Sequence, residues 1–340
     1  MFAPKLLRQI RDRFHHVDRC PYQGARIFFE NAGGSLTLKS VVETNARLSA
    51  IPDNQGRDNP ASAEMMRLIK AGKADMMTFL GATSGLVFAG ETGTECLFRV
   101  LRAAIMNASE SSSDDGVGGQ VLGGALEHPA TSSAARLWSA RAGMEYIAVA
   151  HDARTCALTA DDYARHATAR TQVATIIHTS PVSGTSVDVG AVAAAIRAAS
   201  PRCFIIVDGI QHAPHGGIAV ADYDIDAYAI SGYKVFSRHN YGFAWVSERL
   251  SAIPHDHLIG TADNVWELGT RDASAYATFS EVVAYLDWLG AHFTDADDGI
   301  DPARRARITA AAVAIAAHER DLIEAMLRGL NGQKGLAQMP

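Results

Sequence analysis

"FIIVDGIQHAPHGGIAVADYDIDAYAISGYKVFSRHNYGFAWV", residues 204–246, contains three short apolar runs: "FIIVD" (204–208), "AYAIS" (227–231) and "GFAWV" (242–246). Each has the length and apolar, β-branched or aromatic character of a buried strand, and turn-forming residues separate them. The first ends in Asp208, and Lys234 follows the second by three residues. The last two are joined by a short link, so they are expected to be antiparallel neighbours.

Similar runs continue outward: "IFFE" (27–30), "LVFA" (86–89), "QVLGG" (120–124), "YIAVA" (146–150) and "ATIIH" (174–178). Helical patterns at 60–80, 94–108, 130–142, 160–169 and 188–199 lie between most of them. Strands that alternate with helices predict an α/β fold, with a mainly parallel sheet between helix layers. The stretch "SESSSDDGVGG" (109–119) reads as a surface loop. After about residue 276 strands cease and two long helical patterns follow, up to the closing "GLAQMP".

A chain of 340 residues can bury a large core and suggests one large domain with a smaller one, or two moderate ones. With 48% hydrophobic and 20% charged residues it reads as a soluble globular protein. A formal charge of -6 disfavours a nucleic-acid partner, which would want a basic face. No apolar run reaches transmembrane length, and the basic start "MFAPKLLRQIRDRFHH" lacks the apolar core of a secretion signal. Cys20, Cys96, Cys156 and Cys203 are scattered, which fits a reducing compartment. A cytoplasmic protein without a membrane partner is expected.

Lys234 stands alone: no other lysine occurs between Lys73 and Lys334. Most lysines are surface residues, and a turn lysine is the plain alternative. Yet this one follows an apolar strand at the sheet edge where open parallel sheets bind ligands. Asp208 would sit at the same edge, where a buried carboxylate needs a cation or strong donors; otherwise it caps the next turn. Upstream, "FAGETGTECLFRVL" (88–101) runs from a strand through a Gly/Thr turn into a helix. Free backbone N–H groups there, with the hydroxyls of Thr92 and Thr94, suit a phosphate, although Thr-rich caps are common. The turn has neither a Walker lysine nor the G-x-G-x-x-G pattern. A phosphate, a cationic ring nitrogen and an aldehyde together describe pyridoxal 5'-phosphate (PLP).

The block "VDGIQHAPHGGIAVADYDIDAYAISGYKVFS" resembles the class V aminotransferase family of PLP enzymes, of fold type I. That family includes cysteine desulfurases, selenocysteine lyases and isopenicillin-N epimerase-like proteins. The resemblance runs from about residue 25 to the end. It implies a large PLP-binding domain over 26–275 after an N-terminal segment, 1–25, and a partial small domain built from the two termini. By the same resemblance, Lys234 is the Schiff-base lysine, Asp208 the partner of the ring nitrogen, and Gln211 the ligand of the phenolic oxygen. Gly93, Thr94 and Ser231 fall on phosphate-binding positions. Tyr233 stands where many relatives have His, so that phosphate contact would be a phenol. His128, in "LEHPATSSAARLW", matches the histidine stacked on the cofactor; on residues alone it is a polar turn residue before Pro129. Asn31 and Ala32, in "FFENAGGS", match a segment near the substrate. Thr270, in "WELGTRDASAY", matches an element that reaches the neighbouring subunit's phosphate, which implies a homodimer with the active site at its interface. Arg271 is either a ligand of the substrate carboxylate or a surface charge.

Several departures bear on function. Pro181, in "HTSPVSGT" (178–185), takes the position of a frequent Asn and offers no side-chain donor. No cysteine follows Cys203, whereas desulfurases carry a mobile sulfur-accepting cysteine in their C-terminal part. Residues 276–340 match only the helical start of the family's small domain, so the chain is expected to be truncated or to have lost a substrate-binding half. His212, His215, His255 and His257 form no set with fixed metal geometry and read as loop or site-lining residues, so no metal is expected. The expected function is PLP chemistry on an amino acid, by C–S or related β-elimination of the desulfurase and selenocysteine lyase kind. The alternatives are a class V aminotransferase or an amino-acid epimerase, and, from another class, a PLP-binding protein without efficient catalysis.

Overall fold

In a computed structural model that describes residues 1–112, 119–294 and 303–339, the three runs of 204–246 are strands with the bounds expected. Strands β1 (Arg19–Cys20) and β2 (Gly24–Ala25) make a small antiparallel pair near the N-terminus. The main sheet takes β3 (Leu86–Gly90), β4 (Gln120–Gly124), β5 (Glu145–Val149) and β6 (Thr171–Ile177). It is completed by β7 (Phe204–Asp208), β8 (Ala227–Ser231) and β9 (Gly242–Val246). Among the described residues this sheet is seven-stranded, in the order β3-β9-β8-β7-β6-β4-β5. Only β9 runs against its neighbours, pairing antiparallel with both β8 and β3.

The helices are α1 (Pro4–Arg11), α2 (Lys39–Ser49), α3 (Pro60–Leu80), α4 (Gly93–Ser112) and α5 (Pro129–Arg141). They continue with α6 (Ala160–Ala164), α7 (Val189–Ala199), α8 (Glu248–Ser251), α9 (Ala273–Gly290) and α10 (Arg304–Arg328). Alternate strand residues feed two cores, as the period of two demands. On one face Ile205, Val207, Tyr228 and Ile230 pack with residues of α7, α9 and α3. On the other face Ile206, Ala227 and Ala229 pack with Leu97, Val100 and Leu101 of α4 and Ala134 of α5. A sheet buried on both faces explains why its strands read as continuous apolar runs. No helix among the described residues is long and apolar enough to cross a membrane.

Three expectations are corrected. Residues 27–30 are not a strand: Ile27 and Phe29 are exposed and the segment pairs with nothing, so an apolar run alone did not make a strand. The loop expected at 109–119 begins late, because α4 continues to Ser112; residues 113–118 lie outside the described residues. The helix expected at 160–169 stops at Ala164, after a capping box between Thr159 and Asp162 starts it. Helix α2 was not anticipated; it packs against α9.

The topology gathers strand ends at one edge. Ile177 of β6 pairs with Asp208 of β7, and Gly242 of β9 pairs with both Ser231 of β8 and Gly90 of β3. A Cβ on Gly242 would lie 2.2 Å from the backbone nitrogen of Gly93. Glycine at 242 therefore lets the start of α4 come down onto the end of β8.

Candidate active site

Lys234 lies in a short 3-10 turn, Gly232–Lys234, directly after β8, and is only 8% exposed. Its Nζ donates to the carbonyl of Ala32 at 2.8 Å and to Gln211 Oε1 at 3.1 Å. Burial lowers the pKa of this amine, and the charge of Asp208 opposes that shift.

Asp208 closes β7 and is 3% exposed. Its Oδ2 accepts from the Thr131 hydroxyl at 2.7 Å, and its Oδ1 accepts from the Ile210 N–H at 3.1 Å. Burial pushes its carboxyl above the ordinary value; the Thr131 and Ile210 donors resist, with smaller help from His128 and Lys234. A carboxylate held this way is poised for one more cationic or N–H partner on its open side.

At the third corner Gly93 begins α4, and its N–H donates to Ser231 Oγ at 3.2 Å. The Thr92 hydroxyl caps the helix by accepting from the Glu95 N–H at 3.0 Å. A Cβ on Gly93 would meet Ser231 Oγ at 2.5 Å and Ile210 Cδ1 at 2.6 Å, so the turn fits only glycine as it stands.

His128 is the N-cap of α5, where its Nδ1 accepts from the Ala130 N–H at 3.1 Å. Tyr233 stacks on His239 with ring centroids 4.5 Å apart, and burial raises its phenol pKa. One cleft is lined by Thr94, His128, Asp208, Gln211, Ser231, Tyr233 and Lys234. Ile177, Thr179, Pro181 and Ile210 complete its wall. A larger apolar hollow lies between α1 and α10, away from this chemistry.

Other anticipated residues lie outside that cleft. Asn31 is exposed in the turn before Gly33, and Ala32 reaches the site only through its carbonyl. Thr270 is exposed and does not line the cleft. The Arg271 guanidinium is engaged within the chain, 3.1 Å from Glu95 Oε1 and 3.8 Å from Glu91 Oε1.

Sequence reasoning missed Thr131, although it lies three residues after His128 on the same first turn of α5. His212 is among the histidines read as loop or site-lining; what sequence reasoning also missed is His178, whose ring stacks on that of His212 3.4 Å apart at 8° beside the cleft. His178 Nδ1 lies 2.7 Å from the Tyr228 hydroxyl, and His212 Nδ1 lies 2.9 Å from Thr179 Oγ1. Burial drives His178 down to about 2 and His212 down to about 4.

A family model, Aminotransferase class-V, matches residues 27–292. The chain belongs to this family. It is 25% identical over 275 residues to the cysteine desulfurase-like protein ustD of Aspergillus flavus, an alignment covering 77% of this chain and 60% of that protein. It is 23% identical over 340 residues to probable cysteine desulfurase 2 of Mycobacterium leprae, covering 98% of this chain and 78% of that one. Among solved structures, the apo cysteine desulfurase from Thermococcus onnurineus NA1 superposes with a TM-score of 0.72 at 16% identity, over 86% of this chain and 72% of that one. The chain of this class V protein thus spans less than two thirds of its fungal relative.

Proposed function

We propose that this class V protein binds PLP in the cleft around Lys234 and acts on an amino acid, with C–S or related β-elimination as the chemistry. The observation that carries the reading is the pairing of a buried lysine amine with a buried carboxylate across one cleft, beside a glycine turn. The residues fit the cofactor. Asp208 has an open side suited to a protonated ring nitrogen, and Lys234 suits the aldehyde. Gln211 suits the phenolic oxygen and His128 the ring face. The Gly93–Thr94 turn, Ser231 and Tyr233 suit the phosphate. When bound, PLP supplies an electron sink at the substrate's α-carbon.

The chain's own residues then have distinct tasks. Thr131 and the Ile210 N–H keep Asp208 aimed and oppose the rise in its pKa that burial causes. Desolvation favours the neutral amine of Lys234, which can then take a proton from the substrate's α-carbon and return it elsewhere. Ile177, Ile210 and Pro181 keep one wall of the cleft apolar, which strengthens the charge interactions inside it. Arg271 would have to leave Glu95 before it could hold a substrate carboxylate.

Three extensions belong to the same proposal. The first is a homodimer with the active site at its interface, supported by exposed Thr270 and the exposed apolar residues Leu258, Ile259 and Leu268 near it in sequence. The second is a division into a large PLP-binding part, 26–275, and the helical start of a small domain, 276–340; exposed Leu322, Ile323 and Met326 on α10 support it. The third is a cytoplasmic location, which the four unpaired cysteines support.

The test is product analysis of the PLP-loaded full-length chain with a panel of L-amino acids that includes cysteine. Sulfide and ammonia together with pyruvate, or alanine with the sulfur passed at the persulfide level to an added thiol, whose excess then releases it as sulfide, is the expected result. A keto acid with transfer of the amino group would establish the aminotransferase alternative, and a D-amino acid the epimerase. Retained cofactor without turnover would overturn the enzyme reading in favour of binding alone.

A further inference from the structure

A line of polar contacts runs from the last long helix to Lys234 without touching the turn assigned to the phosphate. Glu319, on α10, places Oε1 2.8 Å from His215 Nδ1. The other ring nitrogen of His215 lies 3.3 Å from Gln211 Nε2. Gln211 Oε1 then accepts from Lys234 Nζ at 3.1 Å.

Donor and acceptor roles along this line are compatible in one direction only. A carboxylate can only accept, so His215 carries its proton on Nδ1. In the neutral ring Nε2 then holds a lone pair and must accept, so Gln211 turns its NH₂ group toward it. The amide oxygen is left facing Lys234, whose ammonium can only donate. With the amide reversed, its oxygen would face the lone pair of His215 and its NH₂ group would face the ammonium.

We propose that Glu319 and His215 are positioning residues that fix the orientation of the Gln211 amide, and so decide which group Lys234 meets. Neither belongs to the set assigned above to cofactor or substrate. The contact also ties α10 to the site, so helix and lysine respond to one another. The line matters to catalysis because of the reading of Lys234 given above; the orientation of Gln211 does not depend on it.

Competitive acetylation of the full-length chain by trace acetic anhydride, without PLP and at mildly alkaline pH, tests this directly. Peptide mass spectrometry reads the rate at Lys234. Glu319→Ala frees the amide to present NH₂ to Nζ, which favours the neutral, nucleophilic amine; labelling should rise about fivefold. His215→Phe should match it. Glu319→Gln keeps an oxygen for His215 and should label at the unaltered rate. Glu319 is half-exposed, so neither of its substitutions threatens the fold. An unchanged rate in Glu319→Ala, or an equal rise in Glu319→Gln, overturns the proposal. A chain that fails to take up PLP would defeat the functional reading and leave this result standing.

Discussion

The Thr131 hydroxyl donates to Asp208 Oδ2 at 2.7 Å, joining the first turn of one helix to the end of a central strand. Hydrogen bonds to ionised carboxylates are stronger than neutral ones. This one holds the charge that the proposed ring nitrogen would meet. Thr131→Val should weaken PLP binding about tenfold, and Thr131→Ser should retain it. Absorbance titration of the PLP-free protein would measure both.

Gly93→Ala should damage the phosphate turn. The added methyl has to displace Ser231 Oγ or Ile210 Cδ1, both nearer than 3 Å to its position. Overpacking of this kind costs about 1–3 kcal/mol of stability. Urea unfolding should show that loss, and PLP affinity should fall by more than the stability change alone explains.

The stacked histidines predict acid lability. Their ordinary value is 6.5, and in the fold they fall to about 2 for His178 and about 4 for His212. The unfolded chain therefore takes up protons first as pH falls. Stability present above about 6.5 is lost below it, down through those folded values. For buried His178 the loss is about 1.4 kcal/mol at about pH 5.5; the His212 contribution is of the same order there and levels off sooner, below its folded value of about 4. Thermal melts across this range should steepen in the native chain and flatten in His178→Gln.

Glu127 predicts the opposite slope. Burial raises its carboxyl from 4.5 to about 8, against donors from Thr175 and the Gly124 N–H, and its Oε2 is out of solvent without a partner. A raised folded pKa means the unfolded chain ionises first. Stability is then lost as pH climbs from about 4.5 to about 8. Glu127→Gln should remove that decline, which melts at mildly acidic and mildly alkaline pH would detect.

Much of the fold was legible because both faces of the sheet are buried. Runs such as "FIIVD" and "AYAIS" had to be apolar throughout, and their ends matched the strands to the residue. The run at 27–30 misled for the same reason in reverse: it is apolar, but it has no neighbouring strand and stays exposed. Helix α2 was missed because its adjacent Val41 and Val42, followed by the polar run Glu43, Thr44 and Asn45, blur the helical period. The placement of Lys234, Asp208 and the glycine turn around the candidate site was legible because each ends or follows a strand at one edge. The His178–His212 stack and the Glu319–His215 contact were not, because they depend on distances between elements that spacing along the chain does not encode.

In the function proposed, Lys234 is the residue that engages PLP. Borohydride reduction of the PLP-loaded protein, followed by peptide mapping, tests it most directly. The expected result is a near-visible absorbance band that reduction abolishes, with the label on Lys234 and none in Lys234→Ala. A label on another lysine, or no band after PLP is added, would contradict it.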